Sequence, residues 1–201
     1  MKESQKKITI RRAMMEDAPK LLKIYAPYVE KTAISFEWET PDISDFVQRM
    51  ENLMQKYPYL VAEVDGEPAG YAYASSFKAR AAYDWDVEVT IYTDQDKRKQ
   101  GLGRMLYEAL ESALAAQHVL NVNACITVPP GGQEDEYASN NSMGFHEHVG
   151  YRLVGRFTSC GYKFGRWYDM VWMEKHIGSH DIDPLPVVPF PDTDWQWESS
   201  H

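Results

Sequence analysis

The sequence predicts a mixed α/β domain with a central sheet that is rich in antiparallel strands. Segments with alternating apolar residues recur along the chain, and several follow one another without a helix between them. Asp65-Gly66 separates two of these segments, and an Asp-Gly pair is a strong hairpin signal. Helical patterns do not alternate regularly with the strands, so a simple βαβ succession is not predicted.

The first part of the chain predicts a strand followed by two helices. Residues 7–12 alternate as a strand, and apolar residues at helical spacing predict a helix over about residues 15–29. Thr40-Pro41-Asp42 suits the start of a second helix. The apolar stripe of that helix consists of Ile43, Phe46, Met50 and Met54.

The middle of the chain predicts three strands and a helix. Residues 59–64 and 69–75 flank the Asp-Gly turn, and residues 86–92 form the next strand. A helix then begins after a glycine-containing turn near residue 101. Its apolar side consists of Leu102, Leu106, Ala109, Leu110, Ala113 and Leu114.

The last part predicts strands, a short helix and an irregular tail. Strands are expected at residues 118–126, 152–158 and 162–174, with a turn at Ser159-Cys160-Gly161 and a short helix at 139–149. Residues 177–201 hold four prolines and no Lys or Arg, so no regular element is expected there. The apolar side chains in this segment, including Phe190 and Trp195, predict an extended arm that packs on its own domain or on a partner subunit.

Composition narrows the classes of partner. The 201 residues, 44% of them hydrophobic, suffice for one domain with a real core. The net charge of −9 argues against nucleic acid or an anionic membrane as partner, since both require a broad basic face. No segment is typical of secretion or membrane spanning, so a cytoplasmic location is expected. Cys125 and Cys160 lack metal-ligand spacing and are expected to be small buried apolar residues, with no metal site.

The turn between the strand at 86–92 and the following helix favours an anion. Lys97, Arg98, Lys99 and Arg104 surround Gly101 and Gly103 in a chain that is otherwise acidic. The first turn of a helix leaves backbone N–H groups unpaired, and the helix dipole adds positive charge there, so a phosphate is stabilised. On these residues alone, an ordinary basic loop before an amphipathic helix is the alternative reading.

The run Arg98-Lys99-Gln100-Gly101-Leu102-Gly103 resembles the Arg/Gln-x-x-Gly-x-Gly/Ala pyrophosphate loop of the GCN5-related N-acetyltransferases, the GNAT family, which bind acetyl-coenzyme A. The resemblance covers about residues 8–175 and is closest to the phosphinothricin or methionine-sulfoximine acetyltransferase branch. Other segments that carry it are Ile10-Arg11-Arg12-Ala13 with Asp17-Ala18, Thr32-Ala33-Ile34-Ser35-Phe36-Glu37, Gly70-Tyr71-Ala72-Tyr73, Arg80-Ala81-Ala82-Tyr83-Asp84-Trp85, Val87-Glu88-Val89 and Phe145-His146-Glu147-His148-Val149-Gly150-Tyr151.

The resemblance implies the GNAT acyl-CoA N-acyltransferase fold, a mixed and mostly antiparallel twisted sheet flanked by helices. It implies a GNAT domain, which is expected over residues 1–176, and composition predicts the acidic, Pro-rich arm at 177–201 that follows it. Acetyl-coenzyme A is the expected co-substrate and a small-molecule amine the expected acceptor. A homodimer is expected from the resemblance alone.

Glu88 is the first candidate for catalysis. Acetyl transfer to an amine needs a group that accepts the amine proton, stabilisation of the oxyanion and a proton for the leaving thiolate. Glu88 shares a strand face with Asp86, while Val87 and Val89 point to the other face. The strand alone also fits a solvated edge carboxylate, but the resemblance aligns Glu88 with the general base of the family, which usually acts through water.

The resemblance places the remaining coenzyme contacts along the strand and the turn. The backbone N–H of Val89 or Thr90 is expected to polarise the acetyl carbonyl, and Ile91 and Thr93 to pair with pantetheine as an added strand would. The pyrophosphate is expected at Arg98, Lys99, Gln100, Gly101, Leu102, Gly103 and Arg104. The coenzyme-contacting asparagine of the family falls at Ser139 by strict spacing, so the contact is assigned to the cluster of Ser139, Asn140 and Asn141.

His146 stands where many relatives have the tyrosine that acts as the acid, and the closest branch also has histidine there. A histidine can donate a proton near neutral pH. A structural role in its helix is the alternative for His146.

The acceptor site is expected around the loop before the catalytic strand. Lys78 and Arg80 offer cations for an acceptor carboxylate, which an arginine binds through two parallel hydrogen bonds. Phe36 and Glu37 are expected to line the opposite wall, and Tyr83 to add a phenolic contact. Solvated loop charges and, for Phe36, a place in the core are the alternatives.

The leading hypothesis is therefore an acetyl-coenzyme A-dependent N-acetyltransferase that acts on a small amino acid or an analogue of one. A GNAT enzyme for a peptide terminus, a polyamine or an antibiotic is the first alternative. A non-catalytic acyl-coenzyme A sensor is the second, since fold alone does not fix function. The acidic residues at 131–136 suit a solvated loop, or else a mouth that prefers a cationic acceptor.

Overall fold

A computed structural model describes residues 7–97 and 100–197 of the chain. Its strands are β1 (Ile8–Arg12), β2 (Tyr59–Val64), β3 (Glu67–Ser76), β4 (Asp86–Thr93), β5 (Asn121–Val128), β6 (Arg152–Lys163) and β7 (Arg166–His176). Its α-helices are α1 (Ala18–Lys31), α2 (Ile43–Met54), α3 (Leu102–Ala116) and α4 (Asn141–His148).

The strands form one sheet with the order β1-β2-β3-β4-β5-β7-β6. Within the described ranges, the β4–β5 pair is parallel and the other five neighbouring pairs are antiparallel. The predicted mixed, mostly antiparallel sheet is confirmed. The parallel pair lies in the middle of the sheet, and α3 makes the crossover from β4 to β5.

Two apolar clusters lie on opposite faces of the sheet. The apolar stripe of α3, including Leu106 and Leu110, packs with Val87 and Val89 of β4 in the larger cluster. Helices α1 and α2 pack on the other face, where Tyr59, Val61 and Tyr71 supply the sheet side chains. This division confirms that Val87 and Val89 point away from the face that carries Glu88.

The predicted turn of the last hairpin was wrong. Strand β6 continues through Ser159-Cys160-Gly161, and the chain reverses at Phe164-Gly165, where φ is +51° and +72°. Lys163 pairs with Arg166 across this turn, so it is a two-residue loop that requires positive φ at both positions. Ser159, with φ of +49°, lies at a break in the register between Phe157 and Gly161. A bulge and a turn use the same residue types, which explains the error.

Other boundaries shift by a few residues. The first helical segment begins with a 3-10 turn at Met15–Asp17 before α1, and β5 begins at Asn121 rather than residue 118. The prediction that both cysteines are buried was wrong, because Cys125 and Cys160 are exposed. Both lie on strands, and local alternation does not reveal which strand face a neighbouring element covers.

The described part of the C-terminal segment, up to residue 197, packs on its own domain. Phe190 is buried, and Val187, Trp195 and Trp197 pack against the larger apolar cluster. Backbone hydrogen bonds join Val188 to the Gln117 carbonyl at 3.1 Å and Phe190 to the Lys56 carbonyl at 2.9 Å. The expected boundary between residues 176 and 177 stays a prediction.

In the described ranges, no helix combines the length and the apolar composition needed to cross a bilayer. The same ranges contain no group of three or more His, Cys, Asp or Glu residues arranged to hold a metal ion.

Candidate active site

The parallel strands β4 and β5 separate at the middle of the sheet. They pair at three positions, which are Asp86 with Asn121, Val87 with Val122 and Glu88 with Asn123. Beyond Glu88, β4 continues to pair with β3 on one edge, and β5 continues to pair with β7. The facing edges of β4 and β5 are therefore released from each other. A strand edge without a partner offers its N–H and C=O groups to an extended ligand.

A cleft of about 470 Å³ opens where the strands separate. Glu88, Thr90 and Ile91 line it from β4, and Cys125 and Thr127 line it from β5. The loop between α1 and α2 supplies Ser35, Phe36 and Glu37. Helices α3 and α4 supply Tyr107, Ser142 and His146. The cleft thus brings together Glu88, His146, Phe36 and Glu37 from the residues expected in the site.

Glu88 lies in a half-buried position on the cleft wall. Burial raises the pKa of Glu88 above the value of an exposed glutamate, and the nearby Lys78 ammonium acts in the opposite direction. A carboxylate with a raised pKa is a stronger base once it has ionised. Glu88 thus has the environment that a proton acceptor requires.

Asp86 lies two residues before Glu88 and has a different environment. Its carboxylate accepts a hydrogen bond from the Asn123 side chain. Burial raises the pKa of Asp86 to about 6, with a smaller contribution from Glu174. Among the described residues, those that line the cleft include Glu88 but not Asp86. Geometry therefore favours Glu88 over Asp86 as the group that meets a substrate.

His146 is buried between α3 and α4 and both its ring nitrogens have partners. Nδ1 lies 2.7 Å from the Ser142 carbonyl, and Nε2 lies 2.9 Å from the Tyr107 hydroxyl. A carbonyl only accepts, so Nδ1 carries the hydrogen and Nε2 accepts from Tyr107. Burial lowers the pKa of His146, which favours the neutral ring. A neutral ring with this tautomer has no proton on Nε2 to donate.

The start of α3 has the backbone geometry that an anion-binding turn requires, and the anion contact itself stays a prediction. Gly101 precedes the helix with φ of +79°, a conformation that favours glycine. No side chain in the described ranges caps the helix, so the N–H groups of its first turn face outward without a capping partner. Gly103 is favoured for lack of space, because a Cβ at this position would lie 3.1 Å from the Phe145 ring. Arg104 is exposed and pairs with Glu108 at 2.7 Å.

Several residues expected to contact the coenzyme have partners within the protein, and two others lie outside the described ranges. Arg98 and Lys99 are outside the described ranges. The backbone carbonyl of Thr93 accepts a hydrogen bond from the Tyr28 hydroxyl at 2.6 Å. The side chain of Asn140 donates to the Gly132 carbonyl at 3.2 Å, and the Asn141 backbone N–H donates to Ser139 Oγ at 3.4 Å. The coenzyme roles expected for these residues stay predictions.

The loop before β4 carries Lys78, Arg80 and Tyr83, the residues expected to bind the acceptor. The Lys78 ammonium lies 4.8 Å from the centre of the Phe77 ring and 5.8 Å from that of Trp172. Arg80 and Tyr83 are exposed, and Tyr83 packs edge-on against Phe77 with ring centres 6.0 Å apart. The described residues that line the cleft include none of Lys78, Arg80 and Tyr83. Their roles toward an acceptor carboxylate stay predictions.

Sequence reasoning missed Tyr107 and Cys125 as cleft residues. Tyr107 belongs to the buried side of α3, where helical spacing does not distinguish a core position from a cleft position. Cys125 lies beside Glu88 on the cleft wall, where partial desolvation of the thiol and the charge of the Glu88 carboxylate raise its pKa to about 12. Alternation along β5 places Cys125 on the same face as Asn123, but only the pairing of β5 with β4 brings that face to Glu88.

Comparison with known proteins agrees with this geometry. Residues 10–172 match the model of the acetyltransferase (GNAT) domain family. A phosphinothricin N-acetyltransferase of Streptomyces viridochromogenes is 34% identical, with 94% of this chain and 98% of that protein covered. An L-methionine sulfoximine/L-methionine sulfone acetyltransferase of Pseudomonas paraeruginosa is 32% identical, with 90% and 98% covered.

The fold is also that of solved members of the family. The crystal structure of a GNAT phosphinothricin acetyltransferase from Sinorhizobium meliloti in complex with acetyl-coenzyme A has a TM-score of 0.80 and 30% identity. That comparison covers 90% of this chain and 95% of the other. The family predicted from the pyrophosphate-loop sequence and the segments around Glu88 is thereby confirmed. This chain belongs to the GNAT family of acetyltransferases.

Proposed function

We propose that this protein transfers the acetyl group of acetyl-coenzyme A to the primary amine of a small amino acid or amino-acid analogue. The observation that carries the proposal is the cleft between β4 and β5, with Glu88 at the point where the strands separate. The names of the relatives support the acceptor class, since they act on phosphinothricin and on methionine sulfoximine or sulfone.

The residues of the cleft fit an acetyl-coenzyme A donor. The outward N–H groups at the start of α3 suit a diphosphate, and the released edge of β4 suits an extended amide chain. We assign the diphosphate to residues 98–104, the pantetheine to Ile91 and Thr93, and the acetyl carbonyl to the N–H of Val89 or Thr90. Bound there, the coenzyme supplies an acetyl group activated as a thioester.

In this proposal Glu88 acts on the proton of the acceptor amine, and His146 positions the Tyr107 hydroxyl. Glu88 accepts a proton from the acceptor amine, directly or through water, and leaves the amine uncharged. His146 holds the Tyr107 hydroxyl at 2.9 Å and has no proton of its own to donate from Nε2. The geometry therefore supports a positioning role for His146 over that of the acid. Phe36 and Glu37 form the opposite acceptor wall.

The local contacts of the acidic segment at 131–136 weaken the case for a cationic acceptor such as a polyamine. Asp135 and Glu136 pair with Arg166 at 3.1 and 3.2 Å. Glu134 accepts a hydrogen bond from the Asn140 backbone N–H at 2.8 Å. These carboxylates are engaged in local contacts, and this reduces the negative charge they offer to a cationic acceptor.

The acceptor class is tested with a panel of amines. We expect coenzyme release with phosphinothricin, L-methionine sulfoximine or L-methionine sulfone, and much slower release with spermidine or an alanine-terminated peptide. Release of the coenzyme thiol measures the rate with each amine, and mass spectrometry identifies the acetylated product. Turnover of the polyamine or peptide alone would contradict the acceptor class, and acetyl-coenzyme A binding without turnover of any amine would favour the sensor alternative.

We also propose a homodimer through the β6 edge of the sheet. Strand β6 is the last in the strand order and carries the exposed apolar side chains Leu153, Val154 and Phe157. An apolar edge strand of this kind is a common pairing surface. Sedimentation is expected to give a dimer for the wild type and a monomer for Phe157→Glu, with Lys20→Glu on α1 as the control. A monomeric wild type at tens of micromolar would contradict the dimer.

A further inference from the structure

Lys163 is a buried lysine at the end of β6, and its ammonium group contacts three backbone carbonyls. The side chain donates to Val29 O at 2.6 Å, Thr32 O at 3.0 Å and Ser35 O at 2.7 Å. The residue is only 3% exposed. A lysine ammonium has three hydrogens and no acceptor, so these three carbonyls use its full donor capacity.

These carbonyls belong to the end of α1 and to the loop that follows it. The last carbonyls of a helix lack partners within the helix, and Lys163 supplies one for Val29. Burial lowers the pKa of Lys163, and the nearby Glu37 carboxylate acts in the opposite direction. The position is thus costly for a cation and needs a compensating set of hydrogen bonds.

The loop that Lys163 contacts carries Phe36 and Glu37, the proposed acceptor wall. Ser35 is held on both sides, because its carbonyl accepts from Lys163 while its hydroxyl lies 2.7 Å from the Tyr25 hydroxyl. The Ser35 hydroxyl also accepts from the Glu37 backbone N–H at 3.2 Å. Displacement of the Ser35 carbonyl would therefore move the next two residues along the cleft.

A second position on β6 acts on the same loop. Gly161 lies two residues before Lys163 and faces the Phe36 ring, and a Cβ at Gly161 would overlap that ring. Tyr162, between them, points to the other side of the strand and is 46% exposed. The end of β6 therefore contacts the loop at Gly161 and at Lys163. Tyr162 between them serves as a control position.

We propose that Lys163 is a positioning residue for the acceptor site: its three hydrogen bonds fix the loop at residues 32–37, and the space at Gly161 seats the Phe36 ring. This inference rests on the proposed function, because it concerns where the acceptor binds. It assigns no contact with the coenzyme to Lys163. The affinity for the acceptor is expected to depend on Lys163, whereas the affinity for acetyl-coenzyme A is expected to be independent of it.

Steady-state kinetics of Lys163→Met test the proposal. Losing hydrogen bonds from a charged group is expected to raise KM for the acceptor about tenfold or more, with kcat and the Kd for acetyl-coenzyme A changed less than about threefold. Lys163→Gln keeps two donors on a shorter side chain and is expected to lie between wild type and Lys163→Met. Tyr162→Ala is the matched control and is expected to behave as wild type.

Gly161→Ala provides an independent arm, since it leaves the ammonium in place and displaces the Phe36 ring. It is expected to raise the acceptor KM with the coenzyme affinity unchanged. Hydrogen exchange at residues 33–37, measured without acceptor, is expected to be faster in Lys163→Met and in Lys163→Gln than in wild type. This readout is available even if one variant is only marginally folded.

The outcomes separate this proposal from the proposed function. If wild type binds acetyl-coenzyme A but acetylates no amine, the proposed function fails. If wild type acetylates an amino acid, and both Lys163 variants lower the melting temperature but leave the acceptor KM and the exchange at 33–37 unchanged, then Lys163 serves stability alone and the positioning role is wrong.

Discussion

Replacing Glu88 by Gln is expected to lower kcat by about 10²- to 10⁴-fold, the usual range for loss of a general base. The amide keeps the size and the hydrogen-bonding capacity of the side chain but cannot accept the amine proton. Because the coenzyme is assigned to the β4 backbone and to the start of α3, the Kd for acetyl-coenzyme A is expected to stay within about twofold of the wild-type value. Calorimetry and initial rates measure the two quantities.

The pH profile adds a second test of Glu88. The base must be ionised, so kcat/KM falls as pH drops through its pKa. Burial raises the pKa of Glu88, so this limb is expected at higher pH than for an exposed glutamate. In Glu88→Gln, the residual activity is expected to lack this limb.

Asp86→Asn is the matched control, because Asp86 shares the strand face and has a pKa of about 6. It is expected to keep kcat within about threefold, since replacing a group that does not meet the substrate leaves transition-state binding largely intact. A loss of 10²-fold or more in Asp86→Asn, with Glu88→Gln near wild type, would transfer the role of base to Asp86. If neither variant lowers kcat, then no carboxylate on this strand is the base.

Replacing Phe190 by Ala is expected to lower the free energy of unfolding by about 3–5 kcal/mol, the range for removing a buried phenylalanine. Phe190 is 4% exposed, and the Arg12 guanidinium lies 4.2 Å from the centre of its ring. The same guanidinium donates to the carbonyls of Thr193 and Trp195 at 3.2 and 3.1 Å. Phe190 therefore anchors the C-terminal segment beside β1.

Urea denaturation followed by fluorescence measures the effect of Phe190→Ala. Leu185→Ala is the control, because Leu185 lies in the same segment but is 61% exposed. The control is expected to change the stability by no more than about 0.5 kcal/mol. Equal and small effects in both variants would contradict the anchoring role, and loss of activity under conditions where Phe190→Ala is folded would point to an added role at the active site.

Local patterns were sufficient for most of the sheet and helices. Alternation along β4 placed Glu88 opposite Val87 and Val89, because side chains alternate along any strand regardless of its neighbours. The paired glycines and the basic residues predicted the helix start at Leu102, and Gly101 has the positive φ expected of such a turn. The turn of the β6–β7 hairpin was misplaced, since bulge and turn share the same residue preferences.

The site was predicted in part. The segments around Phe36, Glu88 and His146 identified three walls of the cleft. The sequence leaves the protonation of His146 open, because its tautomer depends on Ser142 and on Tyr107, a residue 39 positions away. Cys125 was misjudged as buried, since its exposure depends on how β5 diverges from β4.

The sequence by itself determined the family, the order of strands and helices, and the strand face that carries Glu88, because these depend on periodicity and on motifs that are contiguous in the chain. Only the tertiary structure decided where β4 and β5 part and which side chains meet across the cleft. Lys163 shows the reason most plainly. It contacts Val29 across 134 positions of sequence, and no local pattern encodes a contact that is formed only when the end of β6 has packed against the end of α1.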